Sequence, residues 1–238
     1  MTTQGIRGMV LSNGGHLVHV DKNGKFVSML NSQNTIEALQ QVYNWFNVDK
    51  VASSFSGGSW TSTDDAFADK KATFLFAGHS GVQKAYSRMA ADDYGIAYLP
   101  MGPRARDKYT VYMINEYCYV IPATYQDRTI ELLLLADELH QWPVEGYTRD
   151  HEFRDEWTRY FHTAEQYNIW KNMHYGNDVN RVWDGGDLVS LAGTNAADFT
   201  KITSGAMTAA VWVETNHVIY QTNAAEIAKT VTYTGKLK

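Results

Sequence analysis

Between Asp64 and Pro103 the chain reads DDAFADKKATFLFAGHSGVQKAYSRMAADDYGIAYLPMGP, and few architectures accommodate that order. A helix with an acidic start comes first, followed by an apolar strand from Thr73 to Phe76. A glycine-opened helix runs from about Ser80 to Ala90, and YGIAYLP supplies a second strand. A strand, a helix and a strand within about thirty residues predict a parallel pair joined by a right-handed crossover. The turn from Ala77 to Gly81 then sits beyond the carboxyl end of a strand and at a helix N-terminus. Open α/β sheets tend to bind ligands at such places.

The flanking segments carry weaker signals. Residues 8 to 30 read as a hairpin: GMVLSNGG leads into HLVHV, DKNG turns the chain, and KFVSM returns. Asn23-Gly24 supplies the positive φ that a tight turn needs. A helix is expected from about Gln33 to Phe46, capped by Ser32 or Asn34, with Ile36, Leu39, Val42, Tyr43 and Phe46 on its core face. The glycine- and serine-rich loop VASSFSGGSWTST follows, where Trp60 either packs on a hydrophobic edge or faces a ligand. MGPRARDKY reads as a polar loop, and YTVYMI and EYCYVIP as strands. From Asp127 to Trp142 the apolar run LLLL predicts a helix buried on more than one side, stopped by Pro143. Residues 145 to 175 read as two charged, aromatic helical pieces and 176 to 193 as irregular. Helices from about Ser204 to Gln221 and from Ala224 to Thr230 close the chain.

Composition narrows the function classes. With 44% apolar and 13% aromatic residues and four prolines in 238 residues, the chain can bury a sizeable core and is not a disordered segment. The net charge of −5 and interspersed signs give no basic face for nucleic acid. Cys118 is the only cysteine, which excludes an intrachain disulfide and a cysteine-based zinc site. Between Tyr117 and Tyr119 it reads as a small buried hydrophobe. No run reaches the eighteen or so apolar residues of a membrane span, and MTTQGIRG lacks the apolar centre of an export signal.

Four segments in order resemble family 1 extracellular solute-binding proteins, the sugar and oligosaccharide receptors of ABC importers. They are LSNGGHLVHVDKNGKFVSMLNSQNTIEALQQVYNWF, the stretch ending in YGIAYLPMGP, EYCYVIPATYQDRTIELLLLADEL, and ITSGAMTAAVWVETNHVIYQTNAAEIAKTV. The resemblance implies an α/β fold of the type II periplasmic-binding-protein kind, incomplete, holding mostly the second lobe and the returning part of the first. Residues 1–110 would be the second-lobe segment with the hairpin, the helix and the strand–helix–strand unit. Residues 111–175 would return to the first lobe with a helical insertion, and 176–238 would form an irregular loop and the C-terminal helices.

The same resemblance implies an extracellular, membrane-anchored receptor that binds a small solute, in all expectation a carbohydrate, and delivers it to an ABC permease without cofactor or covalent chemistry. The part before SNGG looks absent, so this chain would form at most half of the cleft and bind a sugar weakly or not at all. His79 and Ser80 align with the place where such receptors present a ligand-contacting aromatic, which is missing here. Asn115 and Glu116 would lie near the hinge between lobes, with Glu116 either a strand-end surface residue or a ligand contact. Trp183 and Asp184, on the irregular loop that carries WDGG, are candidates for an aromatic face and a hydroxyl acceptor.

Two rival readings remain. A carbohydrate-active hydrolase would draw its acid and base from Glu116, Glu152 and Asp155, although glycoside hydrolysis needs two carboxyls held apart across the sugar. The carboxylates around residue 152 alternate with Arg149, Arg154 and Arg159, which fits ion pairs on a solvated helix. His151-Glu152 lacks the second histidine of a zinc helix, since Asp155 stands in its place. The other rival is a receptor that acts only through protein contacts, as a homo-oligomer covering apolar surface.

Overall fold

The structure, a computed structural model, describes residues 3–53, 62–76, 78–90, 93–113, 123–140, 160–186 and 198–230. Helix α1 (Thr3–Ser12) is buried along its length from Gly5 onward. Its end is set by Asn13-Gly14-Gly15. The Gly15 N–H donates to Val10 O and the Gly14 N–H to Leu11 O, both at 2.9 Å. That is a Schellman cap, which wants a left-handed residue at Gly14, where φ is +70°. GMVLS is therefore helix and not the approach to a hairpin.

The hairpin itself is shorter. Strands β1 (Val18–Val20) and β2 (Phe26–Ser28) pair antiparallel, with Val18 opposite Ser28. Gly24 takes φ +76° in the turn, and the Asp21 carboxylate accepts from the Asn23 and Lys25 N–H groups. Helix α2 (Gln33–Tyr43) is capped by the Ser32 hydroxyl, which accepts from the Thr35 N–H, and runs on into a π-helical turn, Asn44–Val48. Leu39 and Val42 are fully buried, and Ile36, Tyr43 and Phe46 lie half-buried against the same core.

The expected strand–helix–strand unit keeps its helices and loses its sheet. Helices α3 (Ser62–Ala68) and α4 (His79–Arg88) pack together, with Lys84 and Arg88 both reaching Asp65. Neither TFLF nor YGIAYLP joins a ladder among the described residues, and Phe74 is 84% exposed. The second segment does alternate between half-buried and exposed positions as a strand would. Gln166 Nε2 donates to the backbone Tyr94 O at 2.8 Å, and Asn172 Nδ2 to the Tyr98 side-chain hydroxyl at 2.6 Å. Both partners come from helix α6 (Ala164–Tyr175), against whose Trp170 and the adjoining Phe161 the Ile96 side chain packs.

A parallel pair exists elsewhere. Strand β3 (Tyr109–Tyr112) lies beside β4 (Val179–Val182) with Tyr109 opposite Val179. Residues 176 to 193, expected to be irregular, thus contribute a strand. Helix α5 (Thr129–His140) follows a 3-10 turn, Ala123–Arg128. Its apolar run is not buried on several sides: Ile130, Leu133, Leu134 and Leu135 are 75%, 56%, 64% and 54% exposed. The 3-10 turn is its principal neighbour among the described elements.

The closing part is one long helix rather than two. The short α7 (Thr200–Thr203) ends at Gly205, whose φ of +78° stops the helical path, and α8 (Ala209–Thr230) then runs unbroken. Thr222, at the expected break, donates its hydroxyl to Val218 O at 2.9 Å and so stays within the helix. Tyr220 and Ala224, one turn apart and buried, hold that stretch to the core. One hydrophobic cluster joins the two ends of the chain, with Val10, Leu17, Leu39, Ile202, Trp212 and Tyr220 among its members.

Candidate functional site

A cleft of about 670 Å3 open to a ligand lies between the end of α1 and the β3–β4 pair. Leu11, Gly14, His16 and Asn34 form one wall. The loop before β3 forms the rim with Arg104, Arg106 and Lys108, and Thr110 and the strand Val179–Val182 close the far side.

Asn13 fixes this geometry. Its Nδ2 donates to Asn34 O at 2.8 Å and its Oδ1 accepts from the Arg104 N–H at 3.0 Å, tying α1, α2 and the rim loop together. The Gly102 N–H donates to Ser12 O at 3.0 Å, an approach so close that a Cβ on Gly102 would stand 2.4 Å from Asn13 Oδ1. Arg104 then reaches back to Glu37 through two parallel hydrogen bonds of 2.9 and 2.8 Å. The Arg104 guanidinium, helped by the Gln33 amide, holds the Glu37 carboxyl down at about 2. Both groups are solvent-facing, so the pair orients the loop more than it stabilises the fold.

Beside the cleft lies a buried polar cluster. Arg7, on α1 and only 5% exposed, donates to the Tyr112 hydroxyl of β3 at 3.0 Å. Burial raises the Tyr112 phenol above its usual range, against the lowering pull of Arg7, and burial also raises Tyr220 on α8. Asp184, 1% exposed, belongs to the same neighbourhood. Its carboxylate accepts from the Leu17 N–H at 2.8 Å, the Val18 N–H at 3.3 Å and the Gly186 N–H at 2.7 Å. His16 Nδ1 stands 3.6 Å from Asp184 Oδ2, on the side facing the cleft wall. The WDGG turn is thus a clamp that pins the end of β4 to the start of β1.

The residues singled out from sequence fall in separate places. Trp183 directly follows β4 and is 40% exposed, next to the cleft-lining Val182. Asp184 is its buried neighbour, held by backbone donors. His79 and Ser80 form the first turn of α4, behind Gly78, and among the described residues α4 contributes none to the cleft lining. Asn115, Glu116, Cys118, Trp60, Glu152 and Asp155 lie outside the described residues.

Sequence reading passed over the cations of the rim. In Arg104-Ala105-Arg106-Asp107-Lys108 three basic residues fall within five positions, on a loop that is turned rather than extended, with Asp107 at φ +63°. That spacing was the available signal. Arg181, in a segment taken as irregular, carried none. Among the described residues no group of His, Cys, Asp and Glu is arranged to hold a metal ion, and no helix is long and apolar enough to cross a membrane. Comparison of the chain with models of protein families, with characterised proteins and with solved structures finds no match.

Proposed function

We propose that the chain captures a polar solute of the carbohydrate class in the cleft between α1 and β3–β4, as the solute-binding component of an ABC importer with a periplasmic-binding-protein-like architecture. The observation that carries this reading is the cleft lining. Asn34, Asn180, Thr110 and the rim guanidinium groups offer donors and acceptors suited to hydroxyl-rich ligands, and the partly exposed Trp183 directly follows the lining residue Val182. Among the described residues the lining holds no carboxylate, which favours capture over glycoside hydrolysis.

Saturation-transfer NMR against a panel of neutral and acidic oligosaccharides tests the proposal. The expected result is transfer to at least one saccharide at millimolar affinity, about −4 kcal/mol, with the saccharide intact after long incubation. Absence of transfer to every member contradicts solute capture, and release of shortened sugar supports the hydrolase instead.

A further inference from the structure

We infer that the cleft takes an anionic solute, a saccharide bearing a carboxylate or phosphate, gripped by Arg106, Lys108 and Arg181. The inference rests on the reading of the cleft as the solute site and adds the ligand's charge. Its basis is a local excess of positive charge on a chain whose net charge is −5. Of the four cationic side chains in the lining, Arg104 is neutralised by Glu37. The other three make no ion pair among the described residues.

Two of those three are nonetheless held in place. Lys108 Nζ donates to Asn177 O at 2.6 Å and one Arg181 nitrogen to Gly176 O at 2.7 Å. A carbonyl partner fixes a head group without cancelling its charge, and a guanidinium with one N–H bound still offers others to an oxyanion. The Arg106 side chain, exposed on the rim, makes no hydrogen bond or ion pair among the described residues and is the group freest to close on a ligand. Asp107, between Arg106 and Lys108, and Asp178, three residues before Arg181, are not part of the lining. The C-terminal end of α1 on the facing wall contributes about half a negative charge, which three full positive charges outweigh.

Calorimetry with trigalacturonate, glucose 6-phosphate, maltotriose and inorganic phosphate tests the inference on the full chain. The expected result is that one of the charged sugars binds at least about tenfold more tightly than maltotriose, as charge-assisted hydrogen bonds would give. Which of the two does so identifies the anion. Arg106→Gln, and more so Arg106→Gln with Arg181→Gln, should cut that affinity about tenfold or more and reduce the preference over maltotriose. Both arginines are exposed, and an unchanged melting temperature checks that the variants fold. Independently of any variant, added sodium chloride should weaken the charged sugar and leave maltotriose nearly unaffected.

Maltotriose binding as tightly as both charged sugars overturns the anionic assignment while leaving solute capture standing. Arginine-dependent binding of inorganic phosphate, with no saccharide bound, upholds the anion site and overturns the carbohydrate reading. No anion binding at all overturns the inference.

Discussion

Asp184 shows how much a single side chain can decide in this fold. A carboxylate presents acceptors on both oxygens, and here Oδ1 takes the Gly186 and Val18 N–H groups while Oδ2 takes that of Leu17. An asparagine can accept on one side only, so Asp184→Asn would turn an amide N–H toward a buried backbone donor. Loss of a charge-assisted bond and an unmatched donor together predict a destabilisation of about 3 kcal/mol, read as a lowered denaturation midpoint. An unchanged midpoint would contradict the clamp. The sequence placed Trp183 and Asp184 on a loop of interest, yet no local pattern distinguishes a carboxylate offered to a ligand from one wrapped around its own backbone. That distinction depends on Leu17 and Val18, which lie far away along the chain.

Elements whose signals are local were legible, and those defined by distant partners were not. The α2 stripe and its Ser32 cap, the Asn23-Gly24 turn and the acidic start of α3 all follow from residues within a few positions of each other. The β3–β4 pairing does not, because the partners are separated by the whole of α5 and α6 and no periodicity encodes which strand finds which. YGIAYLP carried true alternation and still forms no ladder among the described residues; it lies beside α6, whose Gln166 donates to Tyr94 O and whose Asn172 donates to the Tyr98 hydroxyl. Helix α1 was hidden for a different reason: its apolar residues are buried all round, and its clearest mark is the Asn-Gly-Gly cap at its end. That cap makes a matched pair of predictions. Gly14→Ala, at φ +70° and with a Cβ 3.2 Å from Asn34 Nδ2, should cost about 1–2 kcal/mol. Gly95→Ala, with nothing within 4 Å, should leave the melting temperature within experimental scatter. Equal effects of the two substitutions would contradict the cap.

At the scale of the whole molecule, a core shared by α1, α2 and α8 supports a cleft wall from one end of the chain and a strand pair from its middle. The rim loop is bound to that wall by Asn13, Gly102 and the Arg104–Glu37 pair, so the cleft is preformed by packing and needs no ligand to organise it. The turn before α4 was the place the sequence suggested for a ligand, whereas the polar lining and the charge gather at the rim loop and β4. An amide chemical-shift map recorded during titration with trigalacturonate separates the two locations most directly. The account predicts the largest shifts at Gly14, His16, Arg106, Thr110 and Asn180, with the Trp183 indole moving alongside them. Shifts concentrated at His79 and Ser80, or none at the cleft when the sugar is in large excess, would contradict it.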